Sequence, residues 1–148
     1  MRGSDAWRAV FRAALGLYWL YFGSQKWQGV SWMRPLIEQS ARATPIPGLH
    51  ELLVAVVVPN WHLFAIAQGV AETVVGICLL HGLATKRAAV VGFLLALELA
   101  LTVAFLVPDL GGRWLYYLAL LVNAEQVFAG SGALSLGRAR FVPAWLRS

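Results

Sequence analysis

Residues 88–107 read AAVVGFLLALELALTVAFLV, an apolar run interrupted near its midpoint by Glu98. Two further apolar runs are centred on Glu72 and on Asn123. Runs of roughly 17 to 25 apolar residues match a hydrocarbon layer about 30 Å thick. The sequence therefore predicts transmembrane helices with polar side chains near the membrane midplane. An ionised carboxylate is costly there and usually faces a bundle interior, a partner or a site.

The composition is that of an integral membrane protein. Of the 148 residues, 59% are hydrophobic and 13% are charged, whereas soluble domains average about 45–50% apolar and about 25% charged residues. A net charge of +5 would suit nucleic acid, but the basic residues lie beside the apolar runs without forming a stripe, so no nucleic-acid partner is expected. The single cysteine, Cys78, excludes an intramolecular dithiol redox pair.

Four apolar segments fit within this length. We predict an all-α fold, an integral membrane four-helix bundle that forms a single domain over residues 1–148. The predicted spans lie near residues 7–27, 61–80, 86–107 and 113–130. In the first span, Gly16 and Gly23 are seven residues apart, a spacing that lets a neighbouring helix approach closely.

The positions of Lys and Arg predict the orientation. With four spans, the termini and the loop at residues 82–87 share one side, which carries eight basic residues against four on the other. The eight are Arg2, Arg8, Arg12, Lys86, Arg87, Arg138, Arg140 and Arg147, and the four are Lys26, Arg34, Arg42 and Arg113. The positive-inside rule then places both termini in the cytoplasm of a multi-pass inner (plasma) membrane protein.

The one long connection, residues 28–60, is predicted to lie on the outer side. It contains the apolar segment LHELLVAVVV at residues 49–58, which Pro47 and Pro59 bracket. Ten residues are too few to span a bilayer as a helix. We predict a short helix that lies at the interface or folds over the outer end of the bundle.

The midplane polar residues form the candidate site. Gln68 and Glu72 are four residues apart and share one face of the second span, and Asn123 and Gln126, three apart, share a face of the fourth. Glu98 lies at the centre of the third span. A protonated carboxyl at this depth can donate a hydrogen bond and exchange a proton, as a quinone oxygen requires.

The basic residues nearest to these groups are predicted to reach the membrane surface. Lys26 and Arg12 lie within a turn or two of span ends, so snorkelling is favoured over buried pairing. Glu72 would then have no cation at its depth and would be protonated and hydrogen-bonded to Gln68, Asn123 or another helix. The alternative is that these polar groups bond to each other and only fix helix packing.

No haem or metal is expected. His62 and His81 flank the second span and lie about 28 Å apart at 1.5 Å per residue, so they cannot ligate one centre together. His50 lies in the long connection without a second ligand at a diagnostic spacing.

Three segments carry a resemblance to a known family. They read RAALGLYWLYFGSQKW at residues 12–27, QGVAETVVGICLLHGLATKR at residues 68–87 and AGSGALSLGR at residues 129–138. Together they resemble the DoxX/DoxD group of small four-span membrane proteins, over nearly the whole chain. The proline-punctuated connection is most similar to the DoxD branch, the small subunit of thiosulfate:quinone oxidoreductase. Gly137 stands where the pattern has an aspartate.

The resemblance implies a compact bundle associated with quinone-linked redox chemistry alongside another subunit. Lys26 and Glu72 match positions of the pattern, whereas Glu98 and Asn123 are not carried over. We predict the membrane subunit of a quinone-linked oxidoreductase complex, with oxidation of sulfur compounds as one option. Glu72 is the predicted catalytic residue. The residues predicted to contact quinone are Gln68, Glu72, Glu98, Asn123 and Gln126.

The sequence has no redox-cofactor motif, which favours assigning catalysis to another protein. A second protein subunit is therefore an expected partner besides the lipid bilayer. The alternative function is that of a non-catalytic accessory or assembly subunit packed against a larger membrane complex.

Overall fold

A computed structural model describes residues 3–132, 134–139 and 142–147, and within these residues the protein is helical and has no strand. The four long helices are α1 (Gly3–Trp27), α4 (Trp61–His81), α5 (Thr85–Leu101) and α6 (Leu110–Ala129), with α2 (Met33–Ala43) and α3 (Leu49–Leu52) between α1 and α4. Single turns follow at Leu53–Val57, Val103–Leu106, Leu136–Arg138 and Ala144–Leu146. The predicted all-α class is confirmed for the described residues. Three basic residues used to predict the orientation, Arg2, Arg140 and the side chain of Arg138, lie outside them.

The third predicted segment is one continuous run, but α5 ends at Leu101. Thr102 leaves helical geometry at φ −126° and ψ −76°, and the chain continues as the 3₁₀ turn Val103–Leu106. The Thr102 hydroxyl donates to the Glu98 carbonyl over 2.7 Å, a backbone contact that bends helices. The predicted span at residues 86–107 therefore consists of α5 and this 3₁₀ turn, and its bounds agree with the apolar helical stretch Thr85–Leu106.

Two helical stretches are long and apolar enough to cross a membrane, judged by length and composition: Trp61–His81 and Thr85–Leu106. Large apolar side chains such as Val74 and Leu94 are exposed on their outward faces. Soluble monomers rarely expose apolar faces of this extent. The outward faces therefore fit a lipid surrounding.

Glycines bring α1 and α4 together. A Cβ built on Gly16 would lie 2.6 Å from the Leu80 nitrogen and 2.9 Å from the Gly76 carbonyl oxygen, and one on Gly23 would lie 2.7 Å from the Thr73 hydroxyl. These distances leave no room for a methyl group. The predicted role of Gly16 and Gly23 as a close-approach face is confirmed.

The four long helices pack in chain order, α1 on α4, α4 on α5 and α5 on α6. The core between them contains Trp19 from α1, Val75 and Leu79 from α4, and Ala89 and Ala96 from α5. Helices α1 and α6 make little contact with each other. A crevice is left between these two helices.

The long connection forms a cap made of α2, α3 and the π turn Leu53–Val57. The Thr44 hydroxyl donates to the Leu101 carbonyl over 3.1 Å, and His50 Nδ1 lies 2.6 Å from the Ala41 carbonyl. Leu53 is buried against the helices below. The apolar segment at residues 49–58 is thus helical over most of its length and folds over the end of the long helices. Of the two predicted placements, at the membrane interface or over the end of the bundle, it adopts the second.

Arg12 anchors the chain after α6. Its side chain is 2% exposed and donates to the Ser131 carbonyl over 2.6 Å and to the Leu134 carbonyl over 3.2 Å. The prediction that Arg12 snorkels is wrong, because the returning C-terminal segment supplies acceptors inside the protein. The Ser135 hydroxyl also donates to the Gly82 carbonyl over 2.7 Å, which ties the same segment to the loop after α4.

Candidate functional site

Lys26 and Glu72 form an ion pair buried between α1 and α4. The Lys26 ammonium lies 2.8 Å from Glu72 Oε1 and 2.7 Å from Oε2, and the two residues are 7% and 1% exposed. The predictions that Lys26 snorkels and that Glu72 has no cation at its depth are wrong. Gly69 provides the reason: a Cβ there would lie 3.0 Å from Lys26 Cβ, so the lysine stem lies across the bare backbone and turns inward.

The charges of Lys26 and Glu72 neutralise each other, and one N–H donor of Lys26 stays unused by Glu72. Removing two charges from water is costly, and mutual attraction offsets that cost only when the geometry is good and the hydrogen bonds are made. Glu72 takes two of the three N–H donors of Lys26, so one remains for another acceptor. The ring of Trp32, with its centroid 5.9 Å from the ammonium, covers the pair from the cap.

A cavity of about 180 Å³ opens beside this ion pair. Its walls come from α1, the cap, α4, α5 and α6, and are mainly apolar. The ionisable and amide side chains that line it are Tyr18, Lys26, Gln68, Glu72, Glu98 and Tyr116. An apolar protein cavity of about 150 Å³ holds a benzene molecule. The space therefore fits one six-membered ring surrounded by few but convergent polar groups.

Glu98 lines the cavity from α5 and, unlike Glu72, is not paired with a cation among the described residues. Thr102 Oγ1 lies 3.3 Å from Glu98 Oε1, a long hydrogen bond, and among the described residues Glu98 forms no ion pair. Glu98 also keeps accessible surface, whereas Glu72 is almost fully enclosed. The cavity is thus lined by one carboxylate that is neutralised by a lysine and by one that is not.

Two of the predicted site residues lie elsewhere. Asn123 Oδ1 accepts from Trp19 Nε1 over 3.0 Å, and Gln126 Nε2 donates to the Gly130 carbonyl over 3.0 Å. Both side chains are fully buried in the core, and neither lines the cavity. Gly92 on α5 leaves room for the Asn123 amide, since a Cβ there would lie 2.5 Å from Asn123 Oδ1. The structure therefore brings Gln68, Glu72 and Glu98 together without the α6 pair.

Sequence reasoning missed the contribution of α1. Tyr18, Phe22 and Lys26 all line the cavity and recur at four-residue intervals, so they form one stripe along α1. That spacing was the available signal, together with the family pattern at Lys26. The contribution of α1 was missed because a lysine near a span end was assumed to reach water.

Two lateral spaces adjoin the cavity, and each opens between exposed apolar side chains. The α4–α5 groove, about 570 Å³, shares six residues with the cavity, which are Ile37, Leu53, Val57, Gln68, Glu98 and Thr102. The α1–α6 crevice, about 540 Å³, shares Tyr18, Phe22, Tyr116 and Ala119 with it. These openings lie on the outward faces of the long helices, where lipid would contact the protein.

Comparison with known proteins gives one match. The DoxX family model matches residues 8–107, which include most of α1, the cap, α4 and α5 and therefore Lys26, Glu72 and Glu98. No curated protein and no solved structure matches the chain. Family membership and the apolar helices together indicate a membrane protein. Because the match covers more than half of its 148 residues, the chain belongs to the DoxX family.

Proposed function

We propose that this protein is the membrane subunit of a quinone-linked oxidoreductase and that the cavity beside Lys26 and Glu72 binds the quinone ring. The observation that carries the proposal is a buried, bidentate ion pair in the wall of an apolar cavity of ring size. Ionisable groups inside a membrane protein are expensive and commonly mark ligand or proton sites.

The proposal includes a four-span topology in the inner membrane. At 1.5 Å per residue, α1 with 25 residues and α6 with 20 residues are about 37 and 30 Å long, enough to cross a bilayer beside α4 and α5. Leu17 on α1 and Leu118 on α6 are exposed as lipid-facing residues would be. The excess of Lys and Arg on the side of the termini favours a cytoplasmic location for both.

The lining residues fit the chemistry of the ring. A bound quinone supplies a reversible two-electron acceptor that also takes up two protons, and a partner subunit that oxidises a substrate would provide the electrons. Lys26 offers its remaining N–H to an acceptor oxygen, and Glu72 holds the ammonium in place. The apolar walls exclude water, which strengthens that charged hydrogen bond.

Proton exchange belongs to Glu98 in this proposal. Both Glu72 oxygens accept from Lys26, so releasing or taking up a proton there would break a buried ion pair. Glu98 lines the same cavity with accessible surface and without a cation. The catalytic role predicted for Glu72 thus becomes one of fixing Lys26. Oxidation of a sulfur compound by the partner remains the substrate class that the DoxD resemblance favours.

The test is extraction of the lone chain in mild detergent from quinone-containing membranes, followed by quantification of quinone per chain. We expect close to one quinone per wild-type chain. Ala119→Phe places a phenyl group in a wall of the cavity and should reduce retention about tenfold or more, because overpacking costs 1–3 kcal/mol. The matched control, Leu121→Phe, lies on the same helix at an exposed position and should retain quinone.

Other outcomes would sink the proposal. Quinone that copurifies only with a larger complex, and never with the isolated chain, would indicate a non-catalytic accessory subunit. Equal retention by both phenylalanine variants would place the quinone outside the cavity.

A further inference from the structure

We propose that the α4–α5 groove holds the hydrocarbon side chain of the quinone and is its path from the bilayer, with Gln68 and Glu98 at the threshold between groove and cavity. This assignment rests on the proposed function, because it concerns the tail of a ligand whose ring lies beside Lys26. It defines a second subsite, specific for an extended apolar chain.

Size requires such a subsite. The central cavity of about 180 Å³ accommodates one ring, so a long substituent has to leave it. The α4–α5 groove adjoins the cavity and measures about 570 Å³. Away from the threshold its walls are apolar, and the small side chains of Ala67 and Ala71 on α4 leave width for a chain. Phe64 and Leu94 at its rim are exposed, so the groove opens towards lipid.

The nature of the threshold distinguishes the groove from the α1–α6 crevice. A polar ring that enters from lipid loses little if it passes polar side chains, whereas polar groups moved past apolar surfaces go unpaired. The groove meets the cavity at the polar side chains of Gln68, Glu98 and Thr102 and at three apolar side chains of the cap. The crevice meets it at three aromatic side chains and Ala119, where the polar groups are two tyrosine hydroxyls and no carboxyl or amide is present among the described residues, and the Tyr18 and Phe22 rings pack with centroids 4.9 Å apart.

The cap is built around the same threshold. Its π turn, Leu53–Val57, places both end residues in the walls of the cavity and of the groove. π turns are rare and are frequent at functional sites. On the other wall, α5 ends at Leu101 just beyond Glu98, and Thr102 lines both spaces. Two departures from regular helix thus flank the proposed entrance.

The experiment compares two ligands on matched variants in lipid nanodiscs. The ligands are a dimethoxybenzoquinone with a decyl side chain and the same ring with a methyl group, and equilibrium binding is measured per mole of quinone in the bilayer. Ala71→Phe and Ala67→Phe each fill the groove, whereas Ala14→Phe fills the crevice. None of the three positions lines the central cavity.

We expect Ala71→Phe and Ala67→Phe to weaken binding of the decyl compound about tenfold, since the tail must displace a phenyl group. Binding of the methyl compound should stay within about twofold, and Ala14→Phe should change neither affinity. Loss of decyl binding in Ala14→Phe alone would move the tail to the crevice and overturn the inference, as would three unchanged affinities. If the wild type binds neither compound, the proposed function itself fails, which is a distinct result.

Discussion

Lys26 and Glu72 lie 46 residues apart in the chain, yet the Lys26 ammonium is 2.7 and 2.8 Å from the two oxygens of the Glu72 carboxylate. The contact joins the last turn of α1 to the middle of α4. It fixes these helices relative to each other and holds a charged donor at the wall of the cavity. Under the proposed function, stability and quinone binding are therefore coupled through one pair.

Breaking the pair from one side should be strongly destabilising. Glu72→Leu leaves the Lys26 ammonium buried without its anion, and Lys26→Leu leaves the carboxylate unpaired, so each should cost roughly 3–5 kcal/mol. The double variant should cost less than the sum, because neither charge remains. Unfolding titrations in mixed micelles measure all three. Strictly additive losses would show that the two side chains do not interact.

Removing the Glu98 carboxylate should weaken quinone binding without lowering stability. Glu98→Leu deletes a polar group without a cation from mainly apolar surroundings, so the free energy of unfolding should not fall. Quinone binding should weaken about tenfold through loss of a charged or strong hydrogen bond. Glu98→Gln is the control, since it keeps hydrogen bonding and should bind quinone while slowing proton-coupled turnover. A folded Glu98→Leu protein with unchanged affinity would remove Glu98 from the site.

The long helices were predictable because their apolar runs are long and contain few charged residues. The glycine face of α1 was predictable because Gly16 and Gly23 recur at helical spacing. The cap helix followed from the length of its apolar segment and from the bracketing prolines. In each case the signal lies within one segment of the chain.

The site was predictable only in part, because it depends on which helix faces meet. The polar groups in the apolar runs were identifiable, and they include Gln68, Glu72 and Glu98 but also Asn123. The sequence does not show that the Asn123 side chain accepts a hydrogen bond from Trp19. Lys26 was assigned to the membrane surface because its direction depends on Gly69 of another helix. Partners brought together from distant segments decide these roles.

Asn123 should matter for stability and not for the ligand. Asn123→Leu leaves the buried Trp19 N–H without its acceptor and should cost about 1–3 kcal/mol. Adding Trp19→Phe removes the stranded donor and should recover part of that loss. Quinone retention should stay at the wild-type level in both proteins. Specific loss of quinone from a folded Asn123→Leu protein would return Asn123 to the site.

Accessibility of introduced cysteines tests the topology. In a Cys78→Ala background, Gln39→Cys on α2 and Lys86→Cys at the start of α5 both occupy exposed positions. A membrane-impermeant thiol reagent should label the first in intact spheroplasts and the second only after permeabilisation, because the positive-inside rule predicts that the basic side faces the cytoplasm. The reverse pattern would contradict cytoplasmic termini.

Photolabelling of the wild-type protein in bilayers with a ring-substituted azidoquinone, followed by peptide mapping, tests most directly whether the cavity binds quinone. Competable labels should fall on residues that line the cavity, among them Tyr18, Trp32 and Tyr116, and Ala119→Phe should abolish them. Labels that unlabelled quinone does not displace, or labels confined to the outward faces of the helices, would contradict quinone binding beside Lys26 and Glu72.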